Sequence, residues 1–133
     1  YMTGEVFSVL KAHSILGRMM RDTGAMDAAF ESGITRSGEP GGLLHHLLGV
    51  RTRGLFGELK EAQSASYLSG ILIGHELRSA GAQRGKIYLL CTPQLAALYT
   101  RAALALGAQA VALDPSAVTR GLFRLAAYIP KNS

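Results

Sequence analysis

The stretch IYLLCTPQLAALY, residues 87–99, decides the fold because it places a short apolar run directly before a helical pattern. The run follows Gly85 and is short, which predicts a buried strand. Thr92 is a good N-cap, and Pro93 suits the first helical position, where its missing N–H costs nothing. The sequence therefore predicts that Cys91, Thr92 and Pro93 form a turn between a strand and a helix.

A second strand completes this unit. The helix is predicted to end at Gly107, and residues 110–113 form another apolar run. We therefore expect parallel strands near 86–91 and 109–113, joined by a crossover helix. The first turn then lies at the carboxyl edge of the sheet, where open α/β sheets bind ligands. Many such turns are empty, and the pattern alone leaves both possibilities open.

Most of the remaining chain is predicted to be helical. The first helix begins with Thr3 as a cap and Glu5 in the first turn, and its apolar side extends to Met20 before a break at Thr23 or Gly24. A loop is expected at residues 37–42. Further helices are predicted at residues 26–34, within 49–57 as a short helix and turn, from about 60 to 79, and from a cap at Asp114 and Pro115 to about 128.

Two strands are too few for a complete parallel sheet, because such sheets need cover on both faces and usually contain more strands. The first helix also begins almost at Tyr1, as if a strand had preceded it. We therefore predict a helix-rich α/β chain that is one part of a larger fold.

The composition limits the classes of protein that the chain can belong to. Of its 133 residues, 48% are hydrophobic and 17% charged, which is typical of a globular domain. The formal net charge of +5 comes from scattered Lys and Arg residues, which argues against a nucleic-acid partner. No apolar stretch is long enough to cross a membrane, and the amino end lacks the pattern of a signal peptide. The single cysteine, Cys91, cannot form an internal disulfide, so we expect a cytoplasmic protein.

Four small residues on the predicted long helix form one ridge, because Ala62, Ser66, Gly70 and Gly74 follow each other at steps of four. Two glycines in a helix interior cost about 1 kcal/mol each relative to alanine. Either close packing of another backbone or a flat ligand lying on the ridge could offset that cost, and packing is the more common explanation.

Several motifs occur in an order and spacing that point to one family. They are MTGE at residues 2–5, GVRTR at 49–53, YLSGILIGHE at 67–76 and the helix at 95–99. Through them the chain resembles the carboxy-terminal part of the 2-dehydro-3-deoxygalactonokinases, the 2-keto-3-deoxygalactonate kinases of bacterial galactonate breakdown. The combination of MTGE with YLSGILIGHE is the most specific element.

The resemblance implies an actin-like sugar kinase built from two ribonuclease-H-like halves, with ATP and Mg²⁺ in the cleft between them. It implies transfer of the γ-phosphoryl group of ATP to the 6-hydroxyl of 2-dehydro-3-deoxy-D-galactonate. Residues 1–133 would be a partial carboxy-terminal nucleotide-binding domain, whose partners are the sugar acid, ATP, the amino-terminal half of the same enzyme and possible further copies. Catalytic and metal-binding residues are expected in that other half, so none is assigned here, and the isolated chain is expected to be inactive.

The same resemblance assigns the nucleotide-binding residues. Thr3, Gly4 and Glu5 match the place where related kinases bring a helix N-terminus near the phosphates. The opening turn matches the adenosine-binding turn, where a glycine pair is usual and this chain has Cys91 and Thr92. The helix that follows would flank the base, and the glycine ridge would lie near the other face of the base or pack under the turn. The full set is Thr3, Gly4, Glu5, Gly70, Gly74, Cys91, Thr92, Leu95 and Ala96.

Three alternatives remain open from the sequence. The chain could belong to a nucleotide-binding module without chemistry, to a structural module, or to a kinase for a related sugar acid such as 2-dehydro-3-deoxygluconate. His45 and His46 lack a third ligand at suitable spacing, so a metal site is not predicted. His75 is expected to be solvated or packed, and Glu76 to anchor a loop or cap a helix. Two arginines, Arg51 and Arg53, could reach an anion or form surface ion pairs.

Overall fold

Residues 86–112 form the predicted strand–helix–strand unit. In the computed structural model, which describes residues 2–21, 27–81 and 85–128, two strands pair in parallel with Lys86 opposite Gln109 and Leu89 opposite Ala112. The elements, in chain order, are α1 (Thr3–His13), a 3₁₀ turn (Gly17–Met19), α2 (Ala28–Arg36), α3 (Gly42–Leu55), α4 (Glu61–Ser79), β1 (Lys86–Leu89), α5 (Pro93–Ala105), β2 (Gln109–Ala112) and α6 (Ser116–Tyr128).

The turn between β1 and α5 has the predicted chemistry. Thr92 is the N-cap of α5, and its side chain accepts a hydrogen bond from the Leu95 amide at 3.5 Å. Pro93 occupies the first helical position. At the other end, Gly107 has φ +77°, a conformation that favours glycine and stops the helix. These predictions from the sequence are confirmed.

The first helix is shorter than predicted. It begins at Thr3, but the N-cap is Met2, so the expected cap at Thr3 is wrong. It ends at His13 and does not reach Met20. The reason is local: the Ser14 hydroxyl donates to the Leu10 carbonyl and accepts from the Leu16 amide, which offers the backbone an alternative to the helix. The predicted break at residues 23–24 lies outside the described residues.

Three other boundaries differ from the prediction. Helix α2 begins after Asp27, whose carboxylate accepts from the Phe30 amide at 2.9 Å; the expected start at residue 26 lies outside the described residues. Helix α3 is continuous over Gly42–Leu55, where only a short helix was expected. Helix α6 begins at Ser116, because the Asp114 side chain accepts from the Ser116 amide at 2.8 Å and holds a turn before the helix.

Helix α4 forms the centre of the core, and it separates two apolar clusters. On one side Tyr67, Leu68 and Ile71 pack with residues of the preceding elements, including Val50 and Leu59. The second cluster joins α4 to α2 and α5, and consists of Phe30, Ile34, Ile73, Leu77, Ala102, Ala103 and Ala108. Because α4 is buried on most of its circumference, the elements around it are held at fixed positions relative to one another.

The glycine ridge of α4 packs directly against α2. A Cβ atom added at Gly70 would lie 2.1 Å from the Phe30 carbonyl oxygen, and one at Gly74 would lie 2.2 Å from the Ser37 hydroxyl. On the facing helix, a Cβ at Gly33 would lie 2.3 Å from the Tyr67 carbonyl oxygen. The packing interpretation is therefore confirmed, and the alternative that Gly70 and Gly74 contact a ligand is wrong in this structure because α2 covers them.

The predicted burial of the first strand is wrong, because only Leu89 of β1 is buried. Apolar side chains remain exposed on the sheet and on the last helix. Tyr88 is 63% exposed, and Phe123 and Tyr128 on α6 are 80% and 86% exposed. These exposures leave one side of the strand–helix–strand unit without apolar cover from the described part of the chain. Among the described helices, none has the length and apolar character needed to span a membrane.

Candidate functional site

A cavity lies where four elements of the described structure meet. It is bordered by the amino end of α1, the last turns of α4, β1 from Ile87 onward and the start of α5, and its volume is about 500 Å³. It extends along β1 to the carboxyl edge of the sheet, where the sequence predicted a site. A smaller cavity of about 180 Å³ adjoins it between α1, α4 and α5, and Gly4, Leu95 and Tyr99 line both.

The larger cavity brings together four of the residues predicted to bind the nucleotide: Gly4, Glu5, Cys91 and Leu95. Thr3 lines the smaller cavity. The remaining predicted residues lie outside both linings. Thr92 is exposed and caps α5, Ala96 is partly buried on the same helix, and Gly70 and Gly74 are covered by α2.

Gly4 differs from the glycines of α4 in its surroundings. A Cβ atom added there would meet no atom within 4 Å among the described residues, so packing does not require a glycine. The N-cap Met2 provides no side-chain hydrogen bond to α1. The first amides of a helix carry partial positive charge and suit an anion. The backbone at Gly4 is therefore accessible to a ligand that enters from the cavity.

Glu76 and Tyr99 form a hydrogen-bonded pair in the wall of the larger cavity. The Tyr99 hydroxyl donates to Glu76 Oε2 and links α5 to α4. Burial raises the pKa of Tyr99 well above its ordinary value, and the hydrogen bond to Glu76 adds to this effect, whereas a hydrogen bond with Thr3 lowers the pKa. The pair was not predicted, because the two residues are 23 positions apart and their contact depends on how α4 packs against α5.

The charge of the larger cavity is negative. Glu5 and Glu76 both line it, whereas no Lys or Arg belongs to the described lining. Glu5 is exposed, while Glu76 is only partly so and is held by Tyr99. The cavity therefore contains one fixed carboxylate among mainly apolar side chains.

A hydrogen-bonded pair of histidines joins α3 to α4. His46 is fully buried, with Nδ1 2.8 Å from His75 Nε2 and Nε2 3.2 Å from the Pro40 carbonyl oxygen. Since a carbonyl only accepts, a neutral His46 donates from Nε2 and accepts at Nδ1, so that His75 donates from Nε2. Burial lowers the pKa of His75, with further contributions from His46 and Arg78. The packed interpretation of His75 is confirmed, although its partner was not foreseen.

Arg53, which the sequence left open between an anion contact and a surface ion pair, has structural partners. Arg53 forms an ion pair with Glu58 at 3.3 Å, and its guanidinium lies 4.9 Å from the centre of the Tyr67 ring. This supports the ion-pair interpretation for Arg53. Within residues 2–21, 27–81 and 85–128, no group of three or more His, Cys, Asp or Glu side chains could hold a metal ion.

Comparison with known proteins gives a consistent result. The sequence model of the 2-keto-3-deoxy-galactonokinase family matches residues 1–125. The 2-dehydro-3-deoxygalactonokinase of Escherichia coli strain K12 is 32% identical over 115 residues, which are 84% of this chain and 39% of that protein. A Rhizobium meliloti protein named "Probable 2-dehydro-3-deoxygalactonokinase DgoK1" is 32% identical over 127 residues, which are 90% of this chain and 42% of that protein.

A solved structure agrees with these sequence relatives. It is described as the "Crystal structure of a putative 2-dehydro-3-deoxygalactonokinase protein from Sinorhizobium meliloti", and it superposes with a TM-score of 0.82 at 32% identity. The match covers all of this chain and 45% of that one. The chain thus spans less than half the length of the relatives that it matches. Because the family model covers nearly the whole chain, the chain belongs to the 2-keto-3-deoxy-galactonokinase family.

Proposed function

We propose that the protein containing this chain uses ATP to phosphorylate 2-dehydro-3-deoxy-D-galactonate at the 6-hydroxyl, and that this chain forms the nucleotide side of the active site. The observation that carries the proposal is the larger cavity. In a chain of this family, it gathers Gly4 and Glu5 from α1, Cys91 from the turn after β1, and Leu95 from α5. Its volume of about 500 Å³ is in the range of cavities that hold small ligands.

The proposed nucleotide contacts follow from the elements that surround the cavity. The first amides of α1 would bind phosphate oxygens, and the open space at Gly4 allows the phosphates to approach the backbone. Cys91 stands where related kinases usually have glycine; it is partly buried and lines the cavity. A thiol is small and apolar enough to lie against a base. Leu95, in the first turn of α5, would flank the base.

We further propose that the chain is part of a ribonuclease-H-like domain of the actin-like type. The parallel pair β1–β2 and the crossover α5 fit the edge of such a sheet. The exposed apolar face of α6 would then be covered by the rest of the full-length protein. A metabolic kinase of this kind would act in the cytoplasm.

The chemistry would depend mainly on positioning and charge. Phosphoryl transfer gives a protein little covalent work, so binding ATP in a fixed orientation and excluding water are the main contributions expected from this chain. Mg²⁺, when bound, would neutralise phosphate charge, and it takes many of its ligands from phosphates and water. No metal ligand and no catalytic base is assigned to the described residues, and both are proposed to come from the remainder of the protein.

The proposal is tested with the natural full-length protein. ADP release is followed with ATP and Mg²⁺ in the presence of 2-dehydro-3-deoxygalactonate, of its gluconate epimer, or of no sugar acid. We expect rapid release with the galactonate compound only. Rapid release with the gluconate epimer alone would establish a related sugar-acid kinase. If the protein binds ADP but forms no ADP from ATP under any of these conditions, it is a nucleotide-binding module and the proposal is contradicted.

A further inference from the structure

We propose that Glu76 accepts hydrogen bonds from the ribose hydroxyls of the nucleotide, and that the larger cavity takes the nucleoside and not the phosphates. This inference rests on the proposed function, because it assigns a role within the proposed nucleotide site. It makes Glu76 a residue that determines specificity for the sugar of the nucleotide.

The charge of the cavity favours the nucleoside. A triphosphate placed among Glu5 and Glu76, with no Lys or Arg in the described lining, would meet like charge at short range. Glu5 is exposed and can turn toward water, but Glu76 is tied to Tyr99. The phosphates are therefore better placed outside, at the first amides of α1, while the uncharged nucleoside enters the cavity.

Tyr99 prepares Glu76 to act as an acceptor. Its hydroxyl donates to Oε2, and an ionised carboxylate can accept about four hydrogen bonds, so most of its capacity remains for a ligand. Because burial and Glu76 raise the pKa of Tyr99, the phenol keeps its proton and remains a donor at any physiological pH. The orientation of Glu76 is thus set before a ligand arrives, which lowers the entropy lost on binding.

The donors of ribose suit this carboxylate better than the edge of adenine does. The 2′- and 3′-hydroxyls are adjacent donors, and one carboxylate can accept a hydrogen bond from each of them. On adenine, the amino group stands beside a ring nitrogen whose lone pair would face the carboxylate. Guanine also presents two adjacent donors, so it is the alternative to ribose as the group that donates to Glu76. The apolar side chains Leu77, Leu90 and Leu95, which also line the cavity, suit either base.

The test compares nucleotides in the natural full-length protein. The KM or Kd is measured for ATP, 2′-deoxyATP, 3′-deoxyATP and GTP, with 2-dehydro-3-deoxygalactonate as the acceptor. We expect at least one deoxy analogue to bind about tenfold more weakly than ATP, since a hydrogen bond to a charged group has been lost. The variant Glu76→Gln should reduce that discrimination to about twofold, with ATP itself weakened.

Two further variants separate a specificity role from a structural one. Glu61→Gln changes an exposed glutamate at the other end of α4 and should keep the discrimination of the unchanged protein. Tyr99→Phe keeps the ring but removes the donor, so it should reduce the discrimination partly.

The outcomes distinguish this inference from the proposed function. Equal affinity for ATP and both deoxy analogues in the unchanged protein would overturn the role of Glu76 while leaving the kinase intact, and this measurement needs no variant to fold. A preference for GTP that is lost in Glu76→Gln would assign the carboxylate to guanine and also overturn the ribose assignment. Failure to bind any nucleotide would overturn the proposed function together with this inference.

Discussion

Two regions of the molecule use glycine in a helix for different reasons. At the contact between α2 and α4, a Cβ on Gly70 would lie 2.1 Å from a carbonyl oxygen, so the absence of a side chain lets two backbones meet. At the amino end of α1, a Cβ on Gly4 would meet nothing within 4 Å, although Gly4 borders both cavities. A glycine that packing does not require is therefore the better candidate for a ligand contact.

The largest effect is expected at the contact between the two helices. Gly70→Ala inserts a methyl group against the Phe30 carbonyl, and neither backbone can move without disturbing the buried side chains around it. We expect the free energy of unfolding to fall by about 3 kcal/mol. Urea denaturation of the full-length protein measures the change. A loss below about 0.5 kcal/mol would show that the two helices separate easily, contrary to the close packing described here.

A matched control is available on α3. Gly49 lies inside that helix and, like Gly4, has open space where its Cβ would stand. Gly49→Ala should raise the free energy of unfolding by about 0.5–1 kcal/mol, because alanine favours the helix and restricts the unfolded chain. Glycine-to-alanine substitution would then raise the free energy of unfolding at Gly49 and lower it at Gly70. Destabilisation of similar size at both positions would remove the distinction.

A smaller effect is expected at the turn that borders the larger cavity. Thr92→Ala removes the side-chain cap of α5, whose hydrogen bond is long at 3.5 Å. We expect a loss of about 0.5–1 kcal/mol, at the lower end for such caps. Thr92→Ser keeps the hydroxyl and should recover most of the loss in thermal unfolding. If the serine variant is as unstable as the alanine variant, the cap does not contribute as described.

The histidine pair should make the free energy of unfolding depend on pH. This change should be smaller than the one expected for Gly70→Ala. Because the pKa of His75 is lowered in the folded protein, its contribution is fully present above the unfolded pKa near 6.5 and is lost as the pH falls through the folded pKa. His75→Gln should flatten the curve of unfolding free energy between pH 7 and 5. His13→Gln, at an exposed histidine of α1, controls for the loss of a histidine as such. Equal curves for all three proteins would contradict the assignment.

The sequence predicts well those features that depend on nearby residues. The strand, the cap at Thr92 and the stop at Gly107 all follow from local signals within residues 87–107, and each is found in the structure. The early end of α1 at Ser14 was missed, since a serine hydroxyl that bonds to its own backbone has no distinct sequence pattern.

The parts of the site that depend on distant contacts were not predictable in the same way. The family resemblance indicated Gly4, Cys91 and Leu95, and these do line one cavity. The bond between Tyr99 and Glu76 crosses two helices and requires their packing to be known. The ridge of α4 could be identified from spacing, but only the position of α2 decides between packing and ligand binding.

The most direct test of the account is the affinity for ATP of Gly4→Ala in the natural full-length protein, measured together with its urea denaturation. We expect the free energy of unfolding to change by less than about 1 kcal/mol, while the Kd for ATP rises about tenfold because the methyl group keeps phosphate away from the first amides of α1. Gly49→Ala serves as the control and should leave the Kd unchanged. An unchanged Kd in a stable Gly4→Ala protein would contradict the assignment of this cavity edge to the nucleotide.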